Sequence, residues 1–251
     1  MDPTSKAIEL EKPVRALLDG MQRLRNEQLH FDPGRSNRTF RVFTLDAGVI
    51  VMLPAIIKFM LSEAPEVRLR ASQVSLQNLH LSLEAGEIDL AIGEFPLLIP
   101  GIRRQKLFTG HHMSVFQKNH PRLRRNPSLS EFMQEKHIFI TAAGTGHPHQ
   151  IAERSLEEQL PPGSIIAHVP SYTSAAMLAK STDAVATMPG PVAAVLAREL
   201  DMQLVKPPIK LPAFEIAQYW HERFDSDPGN QWLRSVVNAQ VGGGRKVPLQ
   251  R

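Results

Sequence analysis

The residues most able to do chemistry are histidines, serines and a few acids. His111-His112 and His147-x-His149 each set two imidazoles close together, the side chain that ligates metals and moves protons near neutral pH. Neither pair has a third ligand at helical spacing, so no metal centre is expected. Serine hydrolysis would need a nucleophile elbow such as G-x-S-x-G, and none occurs in the 251 residues. Cysteine is absent, which removes thiolate nucleophiles, thiolate zinc sites and disulfide frameworks. Ala142-Ala143-Gly144-Thr145-Gly146-His147 is glycine-rich but lacks the G-x-x-x-x-G-K-[ST] pattern of a nucleotide loop. The expectation is therefore no enzyme, no catalytic residues and no cofactor.

What remains is binding chemistry where strands end and helices begin. Asp46-Ala47-Gly48 stands between a strand and an apolar helix, and Asp46 reads as a helix cap or a ligand contact. Gly93-Glu94-Phe95 ends another strand, where Glu94 is either a hydrogen-bond acceptor for a ligand or a solvated rim charge. Thr145 and His147 lie in a turn whose backbone N–H groups open a helix, a general anion site. Ser171, Tyr172 and Thr173 open the next helix, offering hydroxyls and a flanking ring. Met188 and Trp220 are apolar candidates, with Trp220 balanced between a cleft and a plain core.

The elements that would hold these residues alternate. Arg38–Leu45, Val67–Val74 and Ile88–Ile92 read as strands. Val49–Ser62 and the Leu76, Leu79, Leu83 face read as helices, the latter stopped by Gly86. Lys106–Gln117 is a further strand. After the proline-bearing Arg122–Pro127 the alternation restarts. Ser128 and Glu131 match a capping box. His137–Thr141, Ile165–Val169, Ala184–Met188 and Met202–Val205 are strands, separated by helices over Pro148–Gln159, Tyr172–Lys180 and Pro191–Glu199. Phe214–His221 and Gln231–Gln240 supply a last strand and helix. This is the pattern of doubly wound, mostly parallel sheets.

Before them, residues 3–28 form a polar helix. Its Leu10, Val14, Leu17, Met21 and Leu24 repeat at 3–4 spacing over about three heptads, a seam suited to a second helix. The fold class is thus α/β: two lobes, each a doubly wound sheet, joined by two crossover segments and preceded by a linker helix. Residues 1–30 are the linker and dimerisation helix. Residues 38–117 plus 212–240 are the first lobe, 118–211 the second, and 241–251 a flexible tail. The formal charge of +4 is too small to argue nucleic-acid binding alone. No apolar run is long enough to span a membrane, and the start lacks a signal-peptide pattern, so a cytoplasmic protein is expected.

Several stretches carry a resemblance. Met1-Asp2-Pro3-Thr4 and Phe31-Asp32-Pro33 precede Arg38-Thr39-Phe40-Arg41-Val42. The most specific motif is Leu83-Glu84-Ala85-Gly86-Glu87-Ile88-Asp89-Leu90-Ala91-Ile92-Gly93. Thr182-Asp183-Ala184-Val185-Ala186-Thr187-Met188-Pro189 follows, then Tyr219-Trp220-His221 and Asp227-Pro228-Gly229-Asn230-Gln231-Trp232-Leu233-Arg234. In order and spacing these resemble the effector-binding region of LysR-type transcriptional regulators, whose fold is like that of periplasmic binding proteins. The branch most similar contains regulators of nitrotoluene and naphthalene/salicylate degradation and, more distantly, nodulation regulators.

The resemblance implies a small effector, an aromatic acid or nitroaromatic, held between the lobes. The lining read from the strand ends and helix starts is then Asp46, Ala47, Glu94, Phe95, Thr145, His147, Ser171, Tyr172, Thr173, Met188 and Trp220. His147 aligns with a pocket histidine of the nitrotoluene-type regulators, whereas Ser171 stands where close relatives carry histidine. The resemblance also implies a homodimer or homotetramer, with Val49–Ser62 packed against Tyr172–Lys180 of a second copy. Ile50, Leu53 and Ile57 are the expected interface residues, together with the Leu10, Val14, Leu17, Met21 and Leu24 seam. The family reaches operator DNA through a winged helix-turn-helix, for which these residues offer no recognition helix and wing. Two alternatives share the fold: a periplasmic-type solute receptor, and a truncated partner of full-length regulators.

Overall fold

The computed structural model describes residues 30–72, 74–95, 99–141 and 148–243, with positions 4, 6, 10, 11, 13–15, 17 and 18 nearer the start. Met21 and Leu24 of the expected seam, Thr145 and His147 lie outside the described residues. Leu10, Val14 and Leu17 are helical and exposed.

Two five-stranded sheets organise the chain. The first contains β1 (Thr39–Phe43), β2 (Arg68–Ser72), β3 (Leu90–Gly93), β4 (Ile102–Gly110) and β10 (Phe214–His221), in the order β2-β1-β3-β10-β4. The β1, β2 and β3 strands are parallel, and β10 runs antiparallel to both its neighbours. Alternation along β1 sends residues to opposite faces. Phe40 and Val42 pack with Ile56 and Met60 of α2 (Leu53–Glu63) and Leu233 of α8 (Pro228–Val241). Phe43 meets Leu79 and Leu83 of α3 (Leu79–Ala85) on the other side. Gly86 ends α3 in the left-handed conformation, as its place after the last apolar position predicts. Burying a ring such as Phe40 is worth about 1.5–3 kcal/mol.

The second sheet contains β5 (His112–Gln117), β6 (Lys136–Ile140), β7 (Ile165–Val169), β8 (Ala184–Pro189) and β9 (Met202–Val205), in the order β7-β6-β8-β5-β9. On one face Ile138 and Ile140 pack with α6 (Tyr172–Ser181) and α7 (Gly190–Glu199). On the other, Phe139 meets Phe132 of α4 (Leu129–Gln134) and Leu156 of α5 (Pro148–Glu157). The capping box at the start of α4 forms as read. The Glu131 N–H donates to Ser128 Oγ at 3.2 Å, and the Ser128 N–H to Glu131 Oε2 at 2.7 Å.

Three expectations need correction. The single strand Lys106–Gln117 is two strands, β4 and β5, in different sheets, with His111 alone between them. The chain therefore leaves the first sheet at His111, not at residue 118. The helix Val49–Ser62 is two helices, α1 (Asp46–Val51) and α2, broken at Met52. Pro54 sits in the first turn of α2, and its missing N–H interrupts the helical ladder there. Finally, Asp46 does not cap α1. Leu45 is the N-cap, with no side-chain cap bond.

Candidate functional site

A cavity of about 50 Å³ lies where the two sheets face each other. The first lobe contributes Thr44, Leu45, Ala47, Gly48, Val51 and Met52, from the end of β1 through α1, and Ile92, Gly93 and Glu94 from the end of β3. Phe108 of β4 and Phe214 and Ile216 of β10 form its floor. The second lobe contributes His112, Pro189, Pro191 and Val192. Ligands of open α/β sheets sit at such carboxyl strand ends.

Local chemistry explains the wall. Thr44 Oγ1 donates to the Ile92 carbonyl at 2.8 Å, tying the ends of β1 and β3. Its hydroxyl fills the space beside Gly48, where an added Cβ would collide with Thr44 and Met52. His112 Nδ1 lies 3.2 Å from the Pro212 carbonyl, which makes that nitrogen the donor and links the two crossing segments. The Gly190 N–H donates to the His111 carbonyl at 2.7 Å, pinning the start of α7 to the first crossing.

Glu94 is half-buried. Its Oε2 accepts the Glu215 N–H at 3.1 Å. Burial holds its carboxyl above the usual range. The Glu215 N–H bond opposes that rise, the Glu215 carboxylate adds to it, and Arg104 lowers it slightly. Glu215 itself is held low by hydrogen bonds from Lys106 and Arg104.

The lobes also meet through Asp46. Its Oδ2 accepts the Tyr172 N–H at 3.0 Å, so a first-lobe carboxylate sits on the first turn of α6. Ala47, Ile50 and Val51 pack beside it against the second-lobe core.

The candidate residues divide accordingly. Ala47 and Glu94 line the cavity, whereas Asp46 and the Tyr172 backbone join the two lobes and are not among its lining residues. Ser171 caps α6, its Oγ accepting the Ser174 N–H at 3.1 Å, while Thr173 is exposed. The Tyr172 ring is buried in the second-lobe core instead of flanking a ligand. Burial, with the Glu153 and Asp46 carboxylates, raises its phenol above the ordinary range. Three candidates are core residues. Phe95 packs at a tilt between Phe43 and Tyr219, with ring centroids at 5.3 and 5.7 Å. Met188 is fully buried. Trp220 packs in the first-lobe core, where its indole N–H donates to Asp225 Oδ1 at 2.9 Å and the Arg234 guanidinium covers its ring at 4.2 Å. Sequence reasoning missed Thr44, Phe108, His112, Pro191, Val192 and Phe214. Among the described residues no group of three or more His, Asp or Glu could hold a metal ion.

Comparison with known proteins agrees with this architecture. The family model of the LysR substrate binding domain matches residues 33–242. The chain belongs to the LysR family. The HTH-type transcriptional regulator LinR of Sphingobium indicum is 31% identical over 238 residues, covering 95% of this chain and 78% of that protein. The HTH-type transcriptional activator NagR of a Ralstonia species is 30% identical over 236 residues, covering 94% and 78%. A probable transcriptional regulator of Pseudomonas aeruginosa superposes with a TM-score of 0.73 at 27% identity, covering 95% of this chain and 80% of that one. The two five-stranded lobes are the periplasmic-binding-protein-like fold of LysR regulatory domains. Among the described residues no helix is long and apolar enough to cross a membrane.

Proposed function

We propose that this LysR-type domain senses a small aromatic ligand in its inter-lobe cavity and passes the binding on as a change in lobe and subunit arrangement. The carrying observation is an apolar cavity lined from both lobes, with His112 of β5 among its second-lobe lining. A ligand that touches both walls has different contacts in open and closed forms, the condition for shifting their balance. Phe108 and Phe214 suit a ring. The acid part of the expectation has less support, because no lysine or arginine stands among the described lining residues. The void is also about a third of the roughly 150 Å³ that accommodates benzene in an engineered cavity. Entry of a ring therefore requires the walls of the cavity to move apart.

On this reading the protein acts in the cytoplasm as a sensor, not a catalyst, and contact with operator DNA would run only through a winged helix-turn-helix, which these 251 residues do not supply. It associates with copies of itself. Leu53 is buried in the first-lobe core, and Ile50 is partly buried against the second lobe. The exposed Ile57 and Leu61 of α2, and Met177 and Leu178 of α6, are the surface that remains. Their size and exposure support a dimer built from these two helices.

A thermal-shift series over one-ring aromatic compounds tests the cavity. Binding at a hundredfold excess over Kd adds about 2.7 kcal/mol of stability. Val192→Trp, which fills the void, is expected to abolish that shift. A shift that survives Val192→Trp would move the site elsewhere.

A further inference from the structure

We propose that Glu94 sets the chemical class of the ligand: a small, non-anionic ring compound that donates an O–H or N–H hydrogen bond to its carboxylate. This rests on the inter-lobe reading above. Among the described residues lining the cavity, Glu94 alone carries a formal charge. Its polar neighbours are committed as donors elsewhere, Thr44 Oγ1 to the Ile92 carbonyl and His112 Nδ1 to the Pro212 carbonyl. A carboxylate offers about four acceptor positions, and the Glu215 N–H uses one.

The surroundings favour a donor over an anion. Glu215 of β10 is the acid beside it. Arg104, the cation that faces Glu94, is already paired with Glu215. An anionic ligand would enter an apolar void facing a like charge, without a free cation among the described lining residues. A phenol or an amine on a ring instead leaves its apolar body against Phe108, Phe214, Met52 and Val192 and donates a hydrogen bond to the Glu94 carboxylate, keeping its proton. Burial already raises the Glu94 carboxyl, and a hydrogen-bond donor is the partner that relieves that cost.

The test is calorimetric titration of the full chain with phenol, aniline and benzoate, on the parent protein and on Glu94→Gln, Glu94→Leu and Val192→Trp. Phenol, aniline or both are expected to bind at least tenfold more tightly than benzoate. Glu94→Leu is expected to weaken that binding roughly ten- to hundredfold, the range of a lost charge-assisted bond. Glu94→Gln keeps an acceptor for the Glu215 N–H and guards against misfolding. It should give intermediate loss for phenol and a gain for benzoate. Benzoate binding as tightly as phenol, phenol indifferent to both Glu94 variants, or binding by none of the three probes would overturn the proposal. Val192→Trp separates the two readings. If it abolishes benzoate binding that the Glu94 variants leave unchanged, only the ligand class falls. If probe binding survives it, the inter-lobe site falls as well.

Discussion

The two lobes follow one plan and bury different chemistry. In each sheet three parallel strands are followed by an antiparallel one that has just crossed from the other lobe: β10 in the first, β5 in the second. The first lobe puts its ions at the edge of the fold. Arg38 reaches Asp227 at 2.8 Å and Asp89 at 3.2 Å, with all three partly open to solvent. The second lobe instead buries titratable groups, His120, Glu135 and His137. His137 lies under α4, with Nε2 donating to the Phe132 carbonyl at 3.1 Å and Nδ1 buried without a partner among the described residues. The difference teaches that acid acts on the two lobes by different routes: in the second by protonating a buried imidazole, in the first by neutralising surface carboxylates such as Glu215 and Asp225 that cations hold low.

The largest effects test whether the lobes stand or fall together. Phe132→Ala in the second lobe and Phe40→Ala in the first each remove a fully buried ring. Each is expected to lower stability by roughly 3–5 kcal/mol, measured by urea unfolding. Two separated transitions in the Phe132→Ala protein would mark the lobes as independent, and a single shifted one as coupled through α1.

Next comes pH. Burial depresses His137 from 6.5 to about 4, so the unfolded chain binds a proton more readily than the folded one in that interval. Stability from this group is therefore intact above about pH 6.5 and is lost progressively as pH falls towards 4. The loss is on the order of 3 kcal/mol. His137→Leu should flatten that slope in acid melts. A slope unchanged in the variant would locate the acid sensitivity at another group.

The smallest effect sharpens the contact between the lobes. Asp46→Ala removes the acceptor for the Tyr172 N–H. It should favour separated lobes by roughly 1–2 kcal/mol, a charge-assisted bond discounted for partial exposure. Faster hydrogen exchange at the Tyr172 amide, without a matching change in the first-lobe core, would register it.

The alternation of strand and helix was readable because β1, β6 and β8 carry apolar side chains at their own periods. Gly86 and the Ser128–Glu131 pair marked helix ends that the structure reproduces. The sheet change at His111 was not readable. Alternation reports that a stretch is extended and says nothing of which sheet it joins, so β4 and β5 looked continuous. Strand ends pointed to Ala47 and Glu94, because a polar or small residue just past a buried strand stands out. Phe108, Phe214 and Val192 were invisible for the opposite reason: an apolar side chain reads the same whether it faces a neighbour or a void. Trp220 illustrates the converse. Its ring is satisfied by Arg234 and Asp225, partners that a linear pattern does not connect.

The single residue between β4 and β5 contrasts with the eight, 206–213, between β9 and β10, among them Pro207, Pro208 and Pro212. Unequal as they are, the two tethers run side by side: Gly110 pairs with Phe214, and His112 Nδ1 lies 3.2 Å from the Pro212 carbonyl. A rotation of one half against the other would have to bend both at once, the short one at His111 and the long one against its prolines.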